Sequence, residues 1–219
     1  MSSSILQLLV LAGIAIFLIL MLRNVLGTRG GFEKPPVQNA PKTQDPRGDF
    51  DVIVNDSDRD ITDHVENDSD SAKALAEMKS VEPGFEVSTF LQGARGAYEM
   101  ILMAYENGDI EDIKSFLDAD VLDTFETMIA QRNAQNLTIE ASFIGFREVA
   151  LQSATFDTET SEAEITVRFV AELTSVVKNA ADHIVEGDPN EIKRQRDIWT
   201  FARRVGSNNP NWILVATDG

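Results

Sequence analysis

Residues 85–219 predict an α+β domain with its helices first and antiparallel strands after them, and two observations carry this. From about Pro83 to Gln135 apolar residues recur at spacings of three and four; after Asn136 they recur at every second position. The connections between the alternating runs are too short for crossover helices, so the sheet is antiparallel. A third observation bounds the domain: the chain before it divides into one apolar run and one acidic stretch without period.

The first helix carries Phe90, Leu91, Ala94, Ala97, Tyr98, Ile101, Leu102 and Tyr105 on one face, with Ser88 placed to cap it and Gly108 to stop it. Asp109 opens a second helix, where Glu111 and Asp112 favour the positive end and Ile110, Ile113, Phe116 and Leu117 form the apolar side. Asp120 opens a third, carrying Val121, Leu122, Phe125, Met128 and Ile129. Ile139, Ala141 and Phe143 then alternate with polar residues until the phase slips at Gly145, which marks a bulge or bend in a long strand. A short strand is expected at 154–157. Ala163, Ile165, Val167, Phe169, Ala171 and Leu173 give the cleanest alternation in the chain. Gly187-Asp188-Pro189-Asn190 turns into a strand at 192–204 with Trp199 and Phe201 on one face, and Gly206-Ser207-Asn208-Asn209-Pro210 turns into a last strand at 212–217. Helices on the concave face of a curved sheet make a cone with room for a pocket.

Residues 5–22 are apolar apart from Gln7. At about 1.5 Å per residue the run nearly spans a ~30 Å hydrocarbon core, and Arg23 can snorkel to complete it. A cleaved signal peptide would want a basic residue before the run and small residues after it; Met1 to Ser4 carry no side-chain charge and Arg23-Asn24-Val25-Leu26 is not such a site. Residues 1–26 are therefore expected to form a single membrane anchor. Arg23, Arg29 and Lys34 follow the span and none precedes it, so the C-terminal bulk is expected in the cytoplasm. Residues 27–84 are expected to be an acidic, disordered tether. Pro35, Pro36, Pro41 and Pro46 break its first half, and Asp and Ser dominate its second, where a short helix at 71–79 is the only regular element the pattern allows. Asp56, Asp58 and Asp60 match the start of a calcium loop, but Ile61 and Asn67 stand where that loop needs Gly and Glu, which favours a solvated linker.

The 219 residues carry a net charge of −17 and no cysteine. Disulfides, thiolate metal sites and cysteine nucleophiles are excluded. The acidity argues against nucleic acid, whose phosphates need a basic footprint.

The anchor ending Leu22-Arg23-Asn24-Val25-Leu26-Gly27, the helix Phe90-Leu91-Gln92-Gly93-Ala94-Arg95-Gly96-Ala97-Tyr98, and the pair Asp197-Ile198-Trp199-Thr200-Phe201 and Asn211-Trp212-Ile213-Leu214 together resemble the bacterial Tim44-like proteins, relatives of the mitochondrial import-motor anchor subunit. The resemblance implies a nuclear-transport-factor-two-like cone, residence in the bacterial inner membrane with the domain in the cytoplasm, and an adaptor role near a protein-translocation or membrane-assembly machine. The chain departs from the mitochondrial relative in having its own hydrophobic span and in lacking a long basic N-terminal region.

No residue set makes a catalytic constellation, and no cofactor or metal is expected. His64 lies in the acidic stretch and His183 between strands, so no histidine pair exists. Tyr98 facing an acidic strand residue would form an acid–base pair, against the plainer reading of a core-lining aromatic. Trp199, Phe201 and Trp212 invite an interface reading, although at least two of them suit the core between sheet and helices. Lys193, Arg194, Arg196, Arg203 and Arg204 make one strand basic within an acidic protein, a candidate contact for a protein partner or anionic lipid, against a solvated face that balances neighbouring acids. The expected function is thus a membrane-tethered adaptor, with a small-molecule-binding or enzymatic cone as the alternative.

Overall fold

The computed structural model describes residues 58–218. The anchor expected at 5–22 and the first part of the expected tether lie outside the described residues. Among those described, no helix is long and apolar enough to cross a membrane.

The elements are α1 (Arg59–Thr62), α2 (Asp70–Val81), α3 (Val87–Asn107), a 3-10 segment (Glu111–Phe116), α4 (Ala119–Ala134), and strands β1 (Thr138–Asp157), β2 (Glu162–Lys178), β3 (Ile184–Glu186), β4 (Lys193–Arg204) and β5 (Ile213–Asp218). The sheet runs β1-β2-β4-β5, antiparallel throughout, with β3 paired to the end of β2. The α+β prediction stands, and β4 and β5 begin and end within a residue of their expected limits; β2 runs on to Lys178, five residues past the alternation, the short strand expected at 154–157 is the end of β1, and β3 had no sequence signal.

The expected tether is corrected between 58 and 84. Those residues are folded onto the domain. Ser69 caps α2 by accepting the Ala72 N–H at 3.1 Å. The helix buries Ala74, Leu75 and Met78 in the same core as α3 and the sheet. The polar composition of the stretch masks this, because only one narrow stripe of α2 is apolar and a single stripe suffices when the surface it covers already exists. The Asp58 and Asp60 carboxylates serve as caps and ion-pair partners: Asp58 caps α1, accepting the Asp60 N–H at 3.0 Å, and both pair with Lys79.

Gly108 closes α3 in the left-handed conformation at φ 72°, as its position predicts. The start of α3 differs: Glu86 is the N-cap residue and its side chain caps nothing. The second predicted helix tightens to a 3-10 segment, and Asp118 rather than Asp120 caps α4.

β1 and β2 pair along nearly their whole length, with register shifts at Phe143/Gly145, Phe146/Glu148 and Leu151/Ser153. The first is the slip read at Gly145. Bulges bend a strand and raise its twist, and here they curve the long outer strand around the helices. They also blunt an exposed edge, which α2 helps to cover: the Ala154 N–H donates to the Ser71 hydroxyl at 3.0 Å. The core lies between the concave face of the sheet and α2, α3 and α4, with Tyr98 at its centre, against Phe169 and Trp199 at ring-centroid distances of 4.4 and 4.6 Å.

Candidate functional site

Alternation along β4 decides the fate of its charged and aromatic residues. Lys193, Gln195, Asp197, Trp199, Phe201 and Arg203 share the parity that faces the helices; Arg194, Arg196, Ile198, Thr200, Ala202 and Arg204 face away. The basic strand is therefore not a basic face. Trp199 and Phe201 are core residues and are withdrawn as surface contacts. Arg203 is withdrawn too: it is buried, and its Nη2 donates to both carboxylate oxygens of Glu82 at 3.0 Å. The Gly206 N–H donates to the same carboxylate at 3.0 Å. Partial burial would raise the Glu82 pKa, but the Gly206 N–H and the Arg203 guanidinium bring it below the ordinary value.

On the outer face the charges answer one another. Glu172 receives Arg147 at 2.7 Å and Arg194 at 3.5 Å, Arg168 grips Glu148, and Arg204 donates to the Thr160 carbonyl at 3.0 Å. Arg196 makes no ion pair among the described residues and remains exposed.

Two hollows open between helices and sheet. The first, about 390 Å³, is a groove walled by Phe85, Phe90, Phe116, Phe201 and Trp212 and floored by the small residues Gly93, Ala94 and Ala97 of α3. The short side chains on that turn leave the space unfilled: a Cβ added at Gly93 would meet nothing within 4 Å. Trp212 is half-buried and packs edge-on to Phe90 at 4.7 Å, with the Arg203 guanidinium 5.1 Å from its ring centroid. Of the three aromatics singled out from the sequence, Trp212 is half-buried whereas Trp199 and Phe201 are buried.

The second hollow, a cleft of about 620 Å³, lies between Ile101, Leu102, Tyr105 and Glu106 of α3, Thr124, Phe125 and Met128 of α4, and the corner of β4 and β5. Asp197 lines it and is hydrogen-bonded to the fully buried Tyr98, a pair anticipated from sequence in kind. The Tyr98 hydroxyl donates to Asp197 Oδ2, and Gln195 Nε2 donates to Oδ1 at 3.1 Å. Burial, then the bond to Asp197 and its charge, push the Tyr98 hydroxyl far above its ordinary pKa. Such a phenol is held protonated as a donor and is poorly suited to act as a base. Burial also pushes Glu106 up, against the opposing pull of Arg132, Lys193 and a hydrogen bond from Ser175.

Reasoning from sequence missed Glu82, Phe85 and Asp60. For Glu82 a signal existed: Arg203 shares parity with Trp199 and Phe201, and a buried arginine demands a carboxylate. Nothing in sequence pointed to its position.

Compared with known proteins, residues 71–219 match the family profile described as a Tim44-like domain. The human mitochondrial import inner membrane translocase subunit TIM44 is 25% identical over 150 residues, covering 67% of this chain and 33% of that protein. The rat subunit is 24% identical over 150 residues, again with 67% and 33% coverage. The chain thus spans about a third of the length of these relatives. Among solved structures, the intermembrane space region of the chloroplast protein ARC6 aligns with a TM-score of 0.41 at 11% identity, covering 58% of this chain and 94% of that one.

Proposed function

This chain belongs to the Tim44-like domain family, and from that premise we propose that it is a membrane-tethered adaptor whose folded domain holds a protein partner of translocation or membrane assembly in the groove beside Trp212. The apolar run at 5–22 would fix it in the bacterial inner membrane, with the domain in the cytoplasm as the Arg23, Arg29 and Lys34 asymmetry indicates. Residues between the span and Asp58 would set its reach and raise the local concentration of whatever it holds. The domain would be a nuclear-transport-factor-two-like cone used for binding rather than catalysis.

The observation that carries this reading is the groove itself, an aromatic-walled surface hollow with a half-exposed tryptophan at its lip, the kind of anchor site around which protein interfaces concentrate their energy. Arg196 on the outward face of β4 is exposed and would be available to an anionic lipid head group or an acidic partner.

The test is crosslinking of the full chain in intact membranes followed by purification and mass spectrometry, beside a Trp212→Ala, Phe85→Ala variant whose circular dichroism is unchanged. Recovery of a translocase or assembly factor in near-equal amount, lost in the variant, supports the adaptor. Recovery of no such protein, or recovery indifferent to the two aromatics, overturns the reading.

A further inference from the structure

We propose that the cleft between α3, α4 and the β4–β5 corner binds a small organic cation, an amine or ammonium with an aromatic or alkyl body, seated on the Asp197 carboxylate between Tyr105, Phe125 and Trp199. The cleft's volume, about 620 Å³, falls within the range of small-molecule sites. Its chemistry is set by one anomaly. Asp197 lines the cleft at 7% exposure, yet both its hydrogen-bond donors, the Tyr98 hydroxyl and the Gln195 amide, are neutral. A carboxylate has about four acceptor sites, so two remain free.

Burying a charge without a cation is costly, and three other carboxylates of this domain are paired. Asp60 has Lys79, Glu82 has Arg203 and Glu172 has Arg147, whereas Asp197 has no cation within ion-pair distance among the described residues. None of the nearby cations pairs with Asp197 among the described residues. Arg132 donates to the Tyr105 carbonyl at 3.0 Å and lies over the Tyr105 ring, and its field and that of Lys193 fall on Glu106. Arg196 stands on the outward parity of β4 at the rim.

The walls suit the same ligand. Tyr105 and Phe125 pair at 4.7 Å on the helix side and Trp199 lines the sheet side, so aromatic side chains border the cleft beside Asp197, with Arg132 over the Tyr105 ring. Ile101, Leu102 and Met128 supply apolar surface for its body.

The experiment uses the full chain in detergent micelles carrying Trp212→Phe, so that Trp199 is the only tryptophan and reports on the cleft. Phenethylammonium is titrated against emission, beside phenethyl alcohol and 3-phenylpropanoate. The expected result is a saturable change with the cation, with affinity at least about tenfold weaker for the other two, and a loss of about tenfold or more in Asp197→Asn, which removes the charge and keeps the shape. Equal response to all three probes, no saturation below about 10 mM, or an unaffected Asp197→Asn overturns the proposal. Should Asp197→Asn lose its circular dichroism signature, calorimetry with Phe125→Ala decides instead: unchanged cation affinity there overturns it equally.

Discussion

Asp60 caps a helix that begins 27 residues further along the chain: its carboxylate accepts the Val87 N–H at 2.7 Å. It also accepts the Ser88 N–H at 3.0 Å and pairs with Lys79 at 2.8 Å. The cap that α3 lacks locally is thus supplied from a segment lying before the residues that match the family profile.

Removing this cap is expected to cost stability. Asp60→Ala should destabilise the domain by about 1–2 kcal/mol, and Asp60→Asn by less, since an amide oxygen still accepts one N–H. Urea denaturation followed by tryptophan emission measures both. A value near zero would mean that α1 contributes nothing to α3.

The same contact sets an acid dependence. Burial raises the Asp60 pKa, but Lys79 and the two N–H groups more than reverse this and hold it far below its ordinary 3.8. Glu82 is lowered in the same sense from 4.5. The unfolded chain therefore takes up protons first, so both contributions are complete above about pH 5 and fall away as pH drops below 4. Stability measured from pH 6 to pH 3 should decline less steeply in Asp60→Asn than in the parent.

Tyr98 gives the opposite sign. Its folded pKa lies above the ordinary 10.0, so its contribution is intact below pH 10 and is lost as the unfolded phenol ionises at higher pH. Tyr98→Phe should cost about 1–3 kcal/mol near neutrality, because Asp197 loses a buried donor, and should flatten the alkaline limb of the stability profile.

The Glu82–Arg203 pair makes an asymmetric prediction. Glu82→Ala strands a buried guanidinium whose Nε already lacks a partner, and should cost on the order of 3 kcal/mol. Arg203→Met keeps the volume against Trp212 and leaves Glu82 the Gly206 N–H, so its cost should be smaller. Equal costs in thermal denaturation would show that the pair acts only by packing.

Finally, α2 should behave as domain rather than linker. Leu75→Ala or Met78→Ala, each fully buried, should cost about 2–5 kcal/mol. Limited proteolysis of the full chain should leave a fragment starting near Asp58; cleavage between 71 and 84 under native conditions would restore the tether to its expected length.

What the sequence by itself determined was local. Period three-to-four gave α3 and α4, period two gave β1, β2 and β4, and Gly108 and Gly145 marked a helix end and a bulge, because each signal depends only on residues a few positions apart. The resemblance carried by the segments 22–27, 90–98, 197–201 and 211–214 also pointed to the family that the profile match shows. The tertiary structure alone decided which face of β4 turns inward, and so converted three of the proposed surface contacts, Trp199, Phe201 and Arg203, into core. Alternation fixes that residues share a face but not which side the helices will cover. The structure alone also brought Asp60 to α3, Glu82 to Arg203 and Asp197 to Tyr98. Those pairings span 27 to 121 residues, and no local periodicity records them. They exist because the sheet closes around the helices and brings groups far apart in the chain within hydrogen-bond reach of one another.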